Sequence, residues 1–332
     1  MLIPFSEQKG DAMELINPLT NPLFSTVASV TGGILALFLV YTLFMERKSL
    51  GQLMKTSLFP RWLSSAILAP LVVLGIFSGP LALTVLITAL SIIGVSEYSR
   101  VTGLAQHFRL PAYAFGAAIP LATALAPQLV TAIVVVSVLV LGSIAVFKYR
   151  TPAQSTIGAA AGAGSANNTQ VFVQAASAVL AVCYTPLLAS FAIHISRMDG
   201  GAAILLSLIA AVGFSDTSAF IIGKAFGKKK MAPHVSPNKS WAGAVGNVIG
   251  AYLGFSIVLF VGPALPLAVL VGLPFLIAIA SIIGDLFESL IKRSYGVKDA
   301  GTWLPGFGGI LDRVDSLLFV LPVSYIVLSL LG

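Results

Sequence analysis

Apolar residues run along this chain in blocks of about twenty, each closed by a glycine, a proline or a short polar stretch. A helix needs about 20 predominantly apolar residues to cross the hydrocarbon core of a bilayer. Ten stretches meet that length: 24–44, 62–78, 81–97, 111–127, 129–147, 171–194, 202–226, 241–262, 264–284 and 310–331. Several are joined by tight turns, such as Ser78-Gly79-Pro80 and Gly262-Pro263. Between them lie polar segments at 45–61, 98–110, 148–170, 227–240 and 285–309. Of these, 152–170 is small, polar and rich in Gly and Ala, and reads as a flexible loop. No internal repeat is visible.

Composition supports the pattern. Of the 332 residues, 57% are hydrophobic and only 9% charged, against about 25% charged in a soluble globular protein. So little charge cannot wet a soluble particle of this size, and so apolar a chain is not disordered. The expected fold class is an all-α, polytopic integral membrane protein with about ten transmembrane helices. One cysteine, Cys183, excludes an intramolecular disulfide and a Cys-cluster metal site, and three scattered histidines argue against zinc.

Charge gives the chain an orientation. Lys and Arg prefer cytoplasmic loops. With both termini outside, all of the 19 Lys and Arg except Lys9 and Arg197 border the five polar segments that then face the cytoplasm. The expectation is therefore N-out and C-out. The tail before residue 24 lacks the basic start of a signal peptide. Three regions are expected: 1–61 with the tail, a first helix and a basic loop; 62–200 with the helices of the N-terminal half; and 201–332, where candidate chemistry concentrates.

A carboxylate inside a bilayer is costly, so an intramembrane acid is a functional candidate by default. Asp216, Asp285, Glu288, Asp312 and Asp315 all fall within or at the ends of three neighbouring spans. Asp285 and Glu288 are three residues apart, as are Asp312 and Asp315, so each pair shares a helix face. Like charges on one face call for a cation between them. Oxygen-only ligands favour a hard divalent ion, Mg²⁺ above all, which takes one or two carboxylates and completes its shell with water and substrate phosphate. The alternative is local ion pairing, Glu288 with Lys292 and Asp312 with Arg313 or Lys298. Basic and small residues accompany the acids: Ser236 and Lys239, then Lys292, Arg293 and Lys298, then Gly308 and Gly309 in a Gly-Phe-Gly-Gly turn. Cations for charge and glycines for close backbone approach suit a polyphosphate. The alternative is a basic loop on anionic headgroups. No P-loop and no GxGxxG fingerprint occurs. The residues by themselves describe a membrane enzyme or transporter handling a phosphate-rich ligand.

Residues 285–316 read DLFESLIKRSYGVKDAGTWLPGFGGILDRVDS. This closely resembles the signature of CDP-diacylglycerol synthases (phosphatidate cytidylyltransferases), S-x-x-K-R, then K-D, P-G-H-G-G and D-R-x-D. Ser289, Lys292, Arg293, Lys298, Asp299, Pro305, Gly306, Gly308, Gly309, Asp312, Arg313 and Asp315 match. Ser215-Asp216-Thr217 and Ser236-Pro237-Asn238-Lys239-Ser240-Trp241 form a second similar block. The resemblance covers roughly the last 120 residues; before residue 200 it is one of hydropathy alone. It implies transfer of the cytidylyl group of CTP to phosphatidic acid, giving CDP-diacylglycerol and pyrophosphate in phospholipid biosynthesis. It further implies a homodimer among membrane lipids, no nucleic acid, and an active site on the cytoplasmic face of a bacterial inner membrane. By this resemblance Asp285 and Asp312 hold the metal, with Glu288 beside them. Asp216, Lys292, Arg293 and Asp315 are catalytic. Ser236, Lys239, Lys298, Gly308 and Gly309 bind the nucleotide. Two positions depart from the pattern: Phe307 stands where His is usual, and Ala242 where Glu is usual. The alternatives are a paralogous enzyme for another lipid phosphate, a weakly active copy, or a non-catalytic, transporter-like protein.

Overall fold

The computed structural model describes residues 15–47, 53–54, 56, 58–148, 163–301, 303–306 and 308–332. Phe307 and the segment 152–162 lie outside the described residues. Among the described residues, ten helices or helix pairs are long and apolar enough to cross a membrane, so the chain is an all-α polytopic membrane protein. The first five spans are α1 (Pro22–Met45), α2 (Phe59–Phe77), α3 (Pro80–Val101), α4 (Gln106–Leu125) and α5 (Val130–Lys148). The sixth is built from α6 (Ala163–Val182) and α7 (Leu188–Ser196), joined by a π-helical turn at Cys183–Leu187 that contains Pro186. Then follow α8 (Gly201–Phe226), a hairpin of β1 (Lys230–Ala232) and β2 (Ser236–Ser240), α9 (Trp241–Phe255), the short α10 (Val258–Val261), α11 (Leu267–Ser294) and α12 (Leu311–Leu331).

Three boundaries differ from the sequence expectation. Residues 163–170, expected as loop, are helical; small residues such as Ala163 and Ala166 favour helix even where hydropathy is low. The expected span 241–262 breaks into α9 and α10 at Ser256 and Ile257. The expected loop 285–309 begins only after Ser294, because α11 continues ten residues beyond the apolar run. An apolar stretch ends at its first charge, whereas a helix continues as long as its polar residues find partners. The lysine and arginine in the last turn of α11 also suit the negative end of the helix dipole.

The tightest helix pair is α8 with α9. A Cβ added at Gly246, Gly250 or Gly254 would lie 2.6, 2.3 and 2.5 Å from the backbone oxygens of Ser218, Phe214 and Ala210. Where lipid gives helices little hydrophobic reason to associate, such small residues let backbones approach and pack. α11 and α12 meet the same way: a Cβ at Gly284 would come within 2.6 Å of the Asp315 carbonyl oxygen. These two seams bring the acid-bearing turns of α8, α11 and α12 together. The core beneath is apolar, with Tyr184 stacked edge-on to Phe287 at 5.2 Å.

Candidate active site

A cavity of about 580 Å³ opens between α8, α9, α11, α12 and the β1–β2 hairpin. Its wall gathers the two sequence blocks. Asp216 comes from α8, Ser236 and Lys239 from β2, Asp285, Lys292 and Arg293 from α11, Lys298 from the loop that follows, and Asp312 and Asp315 from α12. Of the remaining expected site residues, Glu288 is buried behind the wall at 1% exposure, and Gly308 and Gly309 support the loop beneath Asp312 without lining the cavity.

Local structure explains each position. Ser240 caps α9, its Oγ accepting from the Gly243 N–H at 3.1 Å, which satisfies one of the orphan donors of a helix start. That cap sets the face of α9 on which Ser240, Gly243, Ala244 and Asn247 recur at helical spacing, and all four line the cavity. Ala242, two residues round the helix from Ser240, is not among the lining residues. A carboxylate in its place would therefore not start from this wall.

Ion pairs organise the acids. Lys239 pairs with Asp285. Lys292 pairs with Glu288 one helical turn back and with Asp312 across the α11–α12 seam, the latter at 2.6 Å. Both oxygens of the Asp312 carboxylate accept hydrogen bonds: Oδ1 from Lys292, and Oδ2 from the backbone N–H groups of Gly309 at 2.8 Å and Ala300 at 3.0 Å. Ser289 donates to Asp285 at 3.3 Å. Asp216, Asp285 and Asp315 lie near enough to one another for their charges to interact. Of the local pairings that form the alternative to a metal, Glu288 with Lys292 is present, and the ion pair of Asp312 is with Lys292, where that alternative named Arg313 or Lys298.

The donor set suits Mg²⁺. The acids that reach the cavity offer only oxygen, and among the described residues no three Asp, Glu, His or Cys side chains close into a metal cage. A protein-only cage is not what Mg²⁺ takes; it binds through one or two carboxylates and leaves room for substrate phosphate. Asp216, Asp285, Asp312 and Asp315 bring oxygen donors of that kind to one cavity.

Two residues carry signals that spacing alone does not reveal. Asn247 is 1% exposed, and among the described residues neither its Oδ1 nor its Nδ2 has a hydrogen-bond partner, although it borders the cavity. Glu97, on α3, is completely buried and accepts from the backbone N–H groups of Ile310 and Leu311. The turn before α12 is further held from α2, where Ser64 donates to the Pro305 carbonyl at 2.9 Å and Arg61 to that of Gly306 at 3.3 Å. The N-terminal half, where only hydropathy pointed to a likeness, thus supplies the mounting for the signature loop.

Residues 59–331 match the cytidylyltransferase family. Among curated proteins, the chain is 42% identical over 169 residues to the phosphatidate cytidylyltransferase of Thermotoga maritima, covering 49% of this chain and 62% of that protein. It is 36% identical over 165 residues to the Bacillus subtilis protein of the same name, covering 49% and 61%. It is 43% identical over 135 residues to the uncharacterized protein YnbB of Escherichia coli, covering 39% and 44%. The matched stretches thus span less than two thirds of each relative.

Proposed function

The chain belongs to the cytidylyltransferase family, and we propose that it transfers the cytidylyl group of CTP to phosphatidic acid at the cavity between α8, α9, α11 and α12. One observation carries this reading: a single cavity unites Asp216 and Lys239 of one sequence block with Asp285, Lys292, Asp312 and Asp315 of the other. The two relatives from Thermotoga maritima and Bacillus subtilis are named for the same reaction.

In the proposed reaction a phosphate oxygen of the lipid attacks the α-phosphorus of CTP. One P–O bond forms, the bond to the β-phosphate oxygen breaks, and pyrophosphate leaves. The attacking phosphate is already ionised near neutral pH, so positioning and charge neutralisation carry most of the catalytic load. Lys239, Lys292, Arg293 and Lys298 offset the charge of the polyphosphate. Their partners Asp285 and Asp312 hold Lys239 and Lys292 at the cavity wall. Asp285 and Asp312 would hold Mg²⁺ as the resemblance implies, with Asp216 and Asp315 on the same wall, and the ion would supply positive charge against the nucleotide phosphates. Asn247 offers a ligand both a donor and an acceptor. The diacyl tails stay in the bilayer, which accounts for a site enclosed by membrane-spanning helices. In this reading the cavity opens to the cytoplasm, where CTP is found, and the protein resides in a bacterial inner membrane as a homodimer.

The test is turnover by the purified chain in mixed micelles with labelled CTP and Mg²⁺, comparing phosphatidic acid with an isoprenoid phosphate. A lipid-soluble cytidine product with phosphatidic acid is the expected result. Product with the isoprenoid phosphate alone would reassign the lipid, and none with either would remove the reading.

A further inference from the structure

The Glu97 carboxylate is the one acid of the N-terminal half that reaches the signature loop among the described residues. It sits on α3 with no exposed surface, in a position where an ionisable group is expensive to keep. Its two oxygens accept from successive backbone amides, Ile310 N–H at 3.0 Å and Leu311 N–H at 2.7 Å. Those amides open α12, which has no side-chain cap of its own at Ile310. A helix start leaves its first N–H groups without partners, and a carboxylate there also meets the positive end of the dipole. Glu97 therefore caps α12 from a different helix, more than two hundred residues away in sequence.

The loop before α12 is shaped around the same carboxylate. A Cβ at Gly301 would lie 2.3 Å from Glu97 Oε1, and one at Gly309 would lie 2.7 Å from Oε2. Both positions are glycine, so the backbone passes directly over the acid. The consequences reach the cavity within one turn. Gly309 is also the residue whose N–H donates to Asp312, and Ala300, next to Gly301, supplies the other N–H to the same oxygen. Asp312 in turn holds Lys292. The line of contacts runs from Glu97 through the backbone of Ala300 and Gly301 and of Gly309, Ile310 and Leu311 to Asp312 and Lys292 on the cavity wall.

We infer that Glu97 is a positioning residue of the cytidylyl-transfer site: by capping α12 and shaping the Gly301 and Gly309 backbone, it fixes the amides that orient Asp312 and, through it, Lys292. The role in turnover rests on the function proposed above; the role in fixing the loop does not.

The experiment measures amide hydrogen exchange and turnover on the full chain in micelles, for wild type, Glu97→Gln and Gly301→Ala. Glu97→Gln keeps the size of the side chain but presents an amide NH₂ to one of the two N–H donors. Gly301→Ala perturbs the same contact from the loop side and serves if Glu97→Gln does not fold. The expected result is exchange over 300–312 faster by roughly tenfold or more, with α8 and α9 protected as in wild type, because a segment that loses its anchor opens locally at a free energy below that of global unfolding. Turnover per folded molecule should fall by about tenfold or more in parallel. Unchanged protection of 300–312 in the folded variants would overturn the inference. So would uniformly faster exchange along the chain, the mark of a general stability role, or faster local exchange with wild-type turnover. A wild-type chain that leaves CTP intact overturns the functional reading alone, since the exchange data still judge Glu97.

Discussion

At the scale of single residues, Lys292 is the point where fold and chemistry conflict most sharply. Its ammonium lies between Glu288, 1% exposed, and Asp312, 6% exposed. Removing one partner of a buried ion pair leaves an uncompensated charge, and typical losses are about 3–5 kcal/mol. Lys292 is itself 13% exposed, so water screens part of that cost and Lys292→Ala should lose about 3 kcal/mol, at the low end of the range. Thermal unfolding in detergent, followed by tryptophan fluorescence, checks this. Adding Glu288→Gln should restore part of the lost stability, because one of the two uncompensated carboxylates is then neutral, while turnover stays low because the phosphate-facing cation is still missing. Recovery of both together would show that Lys292 acts on the fold alone. Asp312→Asn tests the neighbouring position. The variant keeps an acceptor for the Gly309 and Ala300 amides but gives up the charge that holds Lys292, and a loss of order a hundredfold in turnover is expected. Near-wild-type turnover would remove Asp312 from the site.

At the scale of elements, the glycine seam between α8 and α9 sets where Asp216 stands relative to β2 and Lys239. The Gly250 position faces the Phe214 and Ser215 backbone with no room for a side chain. Gly250→Val should therefore force the helices apart and lower stability by about 1–3 kcal/mol, the usual range for overpacking. The thermal midpoint and the yield of folded protein measure it, and an unchanged midpoint would mean that the seam is looser than it looks. These elements also show what the amino-acid sequence reveals. Long apolar runs gave away all ten spans, since a bilayer imposes one length on every crossing. The acidic face of α11 was legible in the spacing of Asp285 and Glu288, although the helix carrying it extends through Ser294, past the charge at which hydropathy stops. The π-turn at Cys183–Leu187 left no trace in hydropathy, which runs on unbroken through it; Pro186 lies within it, and Thr185 packs against Gly94 of α3. Glu97 was equally hidden. At the end of an apolar run it looks like an ordinary wetted acid, and only the folded chain brings Ile310 and Leu311 onto it. Asn247 belongs to the same class, as its lack of partners is a property of its surroundings.

At the scale of the whole molecule, the charge pattern and the site make one claim together. If both termini face outward, the β1–β2 hairpin and the 295–305 loop lie in the cytoplasm beside the open cavity. α1 stands apart from this arrangement: it precedes the family match at residue 59 and packs chiefly on α2, through Phe24 against Phe77 and the Trp62 indole donating to the Leu35 carbonyl at 2.9 Å. Single cysteines in a Cys183→Ala background give the orientation. A cysteine replacing Lys229 should react only with reagent on the cytoplasmic side, and one replacing Asp199 only from outside. The reverse pattern would separate the cavity from cytoplasmic CTP.

The central claim is that this cavity joins the α-phosphorus of CTP to a lipid phosphate. It is tested most directly by splitting the label: CTP marked at the α-phosphorus in one reaction and at the γ-phosphorus in the other, each with phosphatidic acid, Mg²⁺, and either wild type or Asp285→Asn. The account predicts that the α-label enters the lipid phase with wild type, that the γ-label stays in water as pyrophosphate in equal amount, and that Asp285→Asn loses both by about a hundredfold or more. A γ-label found on the lipid, or wild-type transfer by Asp285→Asn, would contradict it.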